Sequence, residues 1–298
     1  MSKKYFIVTS HGWSASNWVA HALNLHPDIV CSHSARNALA SDKDLQSNEN
    51  LKIHLSQLHK GYLSRQDKNI NTSYDEIEKM GEGKYYGSVH LYRLRDLPVL
   101  QEKFGNFSRD FSVMNLVRHP VSLVWSGYGQ FKDLFRYDIN ELHWTLGKVL
   151  NESREFVFSI GQKYQLNLGD FENLAFIGAA CVLGSLRIDL NALPKAKQIP
   201  QVDFKGFVQM EKITSDKDEF TKFISTLLPG IPVSQEYLTE VFATGEINKH
   251  RHDKKVITPA ERFASFTDWQ KEVFLFYFRK YNLGEEYKAI GYDLSFTD

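Results

Sequence analysis

The sequence predicts an α/β fold, a three-layer sandwich with a central, mostly parallel sheet of about five strands flanked by helices. Three observations carry that expectation. Apolar runs near Tyr5, Ile29, Tyr86, Val113 and Phe207 alternate along the 298 residues with stretches of helical periodicity, the order that parallel strands joined by crossover helices produce. The first of these runs is continuously apolar rather than alternating, as in a strand buried on both faces. Two of the runs, at Tyr5 and at Phe111, lead at once through a short polar junction into a helix, which brings the amino end of that helix to the sheet edge.

In chain order, Tyr5, Phe6, Ile7 and Val8 form the first strand, and the loop Gly12-Trp13-Ser14-Ala15-Ser16-Asn17 follows. A helix is expected from near Ser16, with Ser14, Ser16 and Asn17 as capping residues. Trp18, Val19, Ala22, Leu23 and Leu25 give it an apolar face, and Pro27 stops it. The orphan N–H groups and positive dipole end of such a helix suit an anion, to which the serine hydroxyls could add donors. The same serines could equally do no more than cap the helix. A second strand starts at Ile29. Residues 42–83 are polar, carry amphipathic helix patterns at Leu51–Leu63 and Tyr74–Met80, and read as a helical insertion. Lys84–Leu91 is a strand that ends in His90, followed by Leu97-Pro98-Val99-Leu100.

Phe111–Val117 is another apolar strand. Arg118 follows it, Pro120 sits where a helix first turns, and Ser126 comes eight residues after the arginine. A guanidinium fork and a hydroxyl from the helix flank could hold a phosphate between them, or Arg118 could pair with a nearby carboxylate. Residues 131–193 read as mainly helical. Within them Leu174–Leu186 is uncharged, too short to span a bilayer, and reads as a buried helix. The run from Asn248 to Lys255 is basic, and Trp269–Tyr281 is an aromatic helix whose side chains fill a core. Neither an internal repeat nor a low-complexity linker interrupts the chain, so a single domain over residues 1–298 is expected.

Composition narrows the function classes. Basic and acidic residues balance at 36 each, which provides no field for nucleic acid or an anionic membrane, so neither partner is expected. Cys31 and Cys181 are too few for a disulfide framework. With no secretory signal ahead of the first strand, the expected location is cytoplasmic. Eleven histidines are present, but His11, His26, His33, His54 and His59 show neither cysteine partners nor a His-x-x-x-His spacing with glutamate, so no metal is expected. A phosphoryl-transfer kinase is disfavoured because the loop lacks Gly-Lys-Ser/Thr.

The loop Gly12–Trp18, the continuation His26-Pro27-Asp28-Ile29, His90 ahead of a Leu-Pro segment, and Arg118 with Ser126 together resemble the sulfotransferase family that uses 3′-phosphoadenosine 5′-phosphosulfate (PAPS). That family has the loop Pro-Lys-Ser-Gly-Thr-Thr-Trp, a Lys-Thr-His strand end, and Arg-x-Pro followed by serine. The resemblance implies a P-loop-NTPase-like sheet and a sulfuryl transfer from PAPS to a hydroxyl of a small molecule or carbohydrate. Gly12, Trp13, Ser14, Ala15, Ser16 and Asn17 would hold the 5′-phosphosulfate. Trp18 would stack near the adenine and could pack the core as well, Arg118 and Ser126 would take the 3′-phosphate, and Lys249 and Arg251 would close over it. His90 would be the general base: a neutral imidazole can accept the acceptor's proton as the O–S bond forms. No metal clamp is needed for this transfer.

Three positions depart from the family. Trp13 stands where the loop cation is expected, leaving His11, Arg93 and Arg95 as candidates to replace it. Ser88 stands where the strand lysine is expected, and Met210 where a tyrosine precedes Glu211. The missing loop cation motivates an alternative, a non-catalytic relative that binds the desulfated nucleotide (PAP).

Overall fold

The computed structural model describes residues 3–33, 38–39, 69–243 and 257–297, which fall into two compact units. The first comprises Met1–Val117 and Asp189–Lys249, the second Arg118–Ile188 and His250–Asp298.

The first unit is built on a sheet of β1 (Lys4–Ser10), β2 (Ile29–His33), β3 (Ala38–Leu39), β4 (Tyr85–Val89), β5 (Phe111–Val117) and β6 (Val202–Gln209), in the order β3-β2-β4-β1-β5-β6. The five strands predicted are parallel; the two-residue β3, which pairs antiparallel with β2, is a sixth that carries no periodic signal. Successive β1 residues serve opposite layers: Phe6 and Val8 join α1 (Ser16–Asn24), and Ile7 joins α2 (Ile70–Glu78) and α3 (Asp96–Phe104). This two-sided burial explains the unbroken apolar run, and each such side chain contributes about 1.5–3 kcal/mol.

Gly87 lies opposite Phe6 in the register of β4 with β1, and a Cβ there would come within 2.3 Å of the Phe6 ring. A strand-interior glycine is therefore required by close approach. The described end of the polar stretch, α2, starts at Ile70 because Asn69 caps it, four residues before the amphipathic pattern suggested. Its Ile70, Tyr74 and Ile77 are buried core residues, and the Tyr74 hydroxyl donates to the Phe6 carbonyl at 2.5 Å. The pattern at Leu51–Leu63 lies outside the described residues.

The second unit is helical: α4 (Pro120–Leu134), α5 (Ile139–Tyr164), α6 (Phe171–Cys181), the start of α7 (Leu183–Lys197), and, after α8 (Met210–Ile213), α9 (Lys217–Leu227) and α10 (Gln235–Ala243) of the first unit, α11 (Pro259–Ala264), α12 (Asp268–Lys280) and α13 (Gly284–Ala289). Pro120 occupies the first helical position of α4, as its fixed φ and missing donor dictate. All of Leu174–Cys181 is buried in α6, where a Cβ on Gly178 would meet Thr145 of α5 at 2.5 Å. Phe171–Lys197 is long and apolar enough to cross a membrane by length and composition, and is mostly buried within the protein. The aromatic α12 buries Val273, Phe274, Tyr277 and Phe278, as its sequence suggested. Cys31 and Cys181 are both buried free thiols.

Candidate active site

The carboxyl ends of β1, β2 and β4 and the amino end of α1 converge in the first unit. Asn24, at the last position of α1, holds both backbone groups of Cys31: its amide donates to the carbonyl at 2.7 Å and its oxygen accepts from the N–H at 2.8 Å. This clamp fixes α1 against β2 and hence the start of α1 beside His33. Tyr237 of α10 adds a bond from its hydroxyl to the Ala22 carbonyl at 2.8 Å.

The start of α1 is not capped as the sequence suggested. Its N-cap is Ala15, in the left-handed region at φ 51°, and no side chain accepts from the first-turn N–H groups. The serines are engaged elsewhere: the Ser14 hydroxyl donates back to the His11 carbonyl at 3.0 Å, and the Ser16 hydroxyl lies 3.1 Å from Nε2 of His33. The amide donors of the first turn are thus left for another acceptor, which an anion supplies. Asn17 presents a carboxamide oxygen that is buried with no hydrogen-bond partner among the described residues. Trp13 is left-handed as well, at φ 67°, while Ser14 between it and Ala15 is not. Such alternation turns successive N–H groups toward one side, the geometry of an anion-binding concavity.

His90 follows β4, and its own N–H continues the ladder by donating to the Val8 carbonyl at 2.9 Å. It too adopts a left-handed φ, of 61°, which aims its ring across the end of β1. Nδ1 lies 3.0 Å from the Ser10 carbonyl and 2.8 Å from the Ser10 hydroxyl. A carbonyl can only accept, so Nδ1 carries the hydrogen and, in the neutral ring, the lone pair resides on Nε2. A Cβ built on Gly12 would sit 4.0 Å from Cε1 of His90, which places the loop beside the imidazole. His33 stacks on it, ring centroids 6.0 Å apart and planes 24° from parallel. His90, Ser10, Gly12, Ser16 and His33 thus form one cluster.

The other predicted residues have these places. Trp18 is buried, edge-on to Phe220 at 5.7 Å and to Phe242 at 6.0 Å, so it packs the core, a role that the sequence reading allowed together with adenine contact. Met210 packs in the same core, at the first position of α8. Arg118 and Ser126 belong to the second unit, half-buried, Arg118 directly ahead of the N-cap residue His119 and Ser126 on α4. Nδ1 of His119 accepts from the Val121 N–H at 3.2 Å, and its Nε2 faces the Asp293 carbonyl at 3.3 Å. Burial holds this imidazole far below its ordinary value, at about 4, so it is neutral and caps α4. Lys249 and Arg251 lie outside the described residues.

Of the three candidates to replace the loop cation, Arg95 is committed elsewhere: its Nε donates to Asp189 at 2.7 Å in a largely buried ion pair. Arg93 faces the same carboxylate, which burial pushes up and these two arginines pull down. His11 remains in the loop, buried, its ring 6.1 Å from that of Trp13. Sequence reasoning missed Ser10 and His33. His33 is adjacent to His90 only because β2 pairs with β4 in the register His33 to Val89, information held in the strand order and not in either segment. Among the described residues no group of three or more His, Cys, Asp or Glu side chains is placed to hold a metal.

No protein-family model matches the chain, and no curated protein matches it. Solved structures similar to it include mouse sulfotransferase SULT7A1 complexed with PAP, at 13% identity and a TM-score of 0.44, covering 97% of this chain and 88% of that one. Another is a sulfotransferase from Alicyclobacillus acidocaldarius, at 13% identity and a TM-score of 0.39, covering 82% of this chain and 92% of that one.

Proposed function

We propose that the protein is a sulfotransferase that moves a sulfuryl group from PAPS to an acceptor hydroxyl, with His90 as general base. The single observation that carries this reading is the placement of an oriented imidazole against an uncapped helix start. Nδ1 of His90 is fixed as the donor by the Ser10 carbonyl, and the ring stands next to Gly12. Bound PAPS would supply the activated sulfuryl group and, after transfer, the leaving nucleotide.

The residues fit such a dianionic group. The first-turn amides of α1 have no side-chain cap, and the loop turns Trp13 and Ala15 left-handed. Gly12, Trp13, Ser14, Ala15, Ser16 and Asn17 would hold the 5′ end through backbone donors and the Ser16 hydroxyl. His90 Nε2 would remove the acceptor's proton as the new O–S bond forms, and the imidazolium would be stabilised through Nδ1–H by the Ser10 carbonyl. The family resemblance implies Arg118 and Ser126 for the 3′-phosphate, with Lys249 and Arg251 as further cations.

General-base removal is worth about 10²- to 10⁴-fold, so His90→Ala should abolish transfer to a panel of phenols, alcohols and sugars while PAP binding survives. Ser10→Ala should cost only about 2- to 10-fold, since the carbonyl still sets the tautomer. Equal affinity of the unmutated protein for adenosine 3′,5′-bisphosphate and for adenosine 5′-phosphate would overturn the assignment. A second reading, a binding protein without transferase activity, draws on Trp13 in the loop and on the commitment of Arg95 to Asp189. PAP binding without sulfate transfer to any hydroxyl would establish it.

A further inference from the structure

We propose that His33 is a positioning residue of this anion site: it turns the Ser16 hydroxyl hydrogen toward the bound anion and takes up a proton as the anion arrives. The inference rests on the reading above and adds to it a histidine with no counterpart among the residues that the sequence singled out as the site.

The argument is one of hydrogen-bond direction. Ser16 opens α1, and its hydroxyl lies 3.1 Å from Nε2 of His33. A hydroxyl has one hydrogen to donate. If Nε2 is bare, Ser16 spends that hydrogen on the ring and turns lone pairs toward the loop, where they repel an anion. If Nε2 carries a hydrogen, Ser16 accepts it and its own hydrogen is released to the anion. An anion therefore selects the protonated Nε2. Full protonation of the ring adds a positive charge one hydroxyl away from the bound group, in a loop that has Trp13 where a cation would help. Because the two binding events favour one another, the anion raises the proton affinity of His33 by the same factor as the proton raises that of the anion.

Among the described residues, these groups face His33. On its own strand and face, Cys31 is a buried thiol whose pKa burial pushes up, so it stays neutral. On α1, the facing group is Ser16, while His21, held below its ordinary value by burial, is near Glu240. In the register of β2 with β3, His33 pairs with Ala38. From the end of β4 comes His90, stacked on His33, with Nδ1 already committed to Ser10. The clamp of Asn24 on Cys31 keeps α1 and β2 in the register that this contact needs.

The test is calorimetric titration of the whole protein with adenosine 3′,5′-bisphosphate at pH 7.5 in two buffers of different ionisation enthalpy, which counts protons bound with the ligand. Uptake approaching one proton per anion bound is expected at this pH, falling toward zero at acid pH, where the ring is charged before the ligand arrives. His33→Gln keeps an N–H at the position of Nε2: affinity should stay within about threefold and uptake should vanish. His33→Phe keeps the stacking ring and removes the donor: affinity should fall roughly tenfold or more. His90→Gln should leave the uptake intact.

Undiminished uptake in His33→Gln, or unchanged affinity in a folded His33→Phe, overturns the proposal. If the nucleotide does not bind but inorganic pyrophosphate binds with the same dependence on His33, the nucleotide reading fails and this inference stands. If neither binds, both fail.

Discussion

Acid should destabilise this protein through one imidazole in particular. His119 is neutral and buried, accepts from the Val121 N–H as the cap of α4, and packs its ring against Phe296 and edge-on to Tyr292. Its pKa is about 4, against 6.5 for an unperturbed histidine. The unfolded chain therefore takes up a proton before the folded one does. The sign follows: the stability is fully present above pH 6.5, falls as pH drops through the interval, and stops falling below about 4. At about 1.4 kcal/mol per pH unit, the total is about 3 kcal/mol, of which about 2 kcal/mol is already lost at pH 5. Half or less of this matches the loss of one helix cap, since a protonated Nδ1 cannot accept; the remainder is the cost of burying the charge.

The assay is urea unfolding followed by circular dichroism at pH 7.5 and pH 5, for the parent and His119→Asn. Asparagine retains an accepting oxygen at the N-cap and does not titrate. It should lower stability at pH 7.5 through lost ring packing, yet the gap between variant and parent should close by about 2 kcal/mol on going to pH 5. Parallel pH curves for the two proteins would refute the reasoning. Because Arg118 directly precedes this cap, loss of the cap should also loosen its guanidinium.

Three other outcomes follow from contacts in the first unit. Gly87→Ala drives a methyl within 2.3 Å of the buried Phe6 ring, so thermal unfolding should move down by about 6 °C or more, corresponding to about 3 kcal/mol of overpacking; an unchanged melting curve would contradict the close approach. Arg95→Ala strands the buried carboxylate of Asp189 and should cost about 3 kcal/mol, near the low end for a broken buried pair because Arg93 also faces it; a double variant with Asp189→Asn should recover part of that loss in the same denaturation assay. Ala15→Gly relieves a left-handed alanine and should raise stability by about 0.5–1 kcal/mol, whereas a loss would mean that the N-cap is not strained.

The sequence made the sheet legible where local patterning and tertiary placement agree. Tyr5–Val8 reads as a doubly buried strand and is one; Pro120 reads as a first helical residue and is one; Trp18, Val19, Ala22 and Leu23 read as one apolar face and are buried together. The short β3 was not legible, because two residues have no periodicity. The capping of α1 was misread for a physical reason: Ser14 and Ser16 have the right chemistry for a cap, but the left-handed Ala15 between them sends one hydroxyl back to His11 and the other across to His33. Arg95 read as a possible loop cation because its partner Asp189 is 94 residues away and belongs to a helix whose packing the sequence does not disclose.

Among the described residues, five that are not glycine adopt positive φ, and three of them, Trp13, Ala15 and His90, stand in this one cluster. Neither tryptophan nor alanine has an intrinsic preference for that region, histidine only a modest one, and each costs about 1–2 kcal/mol to hold there. The cost is met by the sheet rather than by the loop: His90 is tied by its N–H to Val8 and by its ring to Ser10, while Ala15 is followed by the first helical bond, from the Val19 N–H to its carbonyl at 3.1 Å. Relaxing any of the three would remove what the strain produces. A right-handed Ala15 would let Ser14 or Ser16 swing back to cap the helix, occupying the amides that the loop now leaves open. An extended His90 would carry its ring away from Gly12 and Ser10 and lose the tautomer that places the lone pair on Nε2. The strain and the availability of donors and base are therefore the same feature of the backbone, which is why this end of the sheet has the makings of the proposed site.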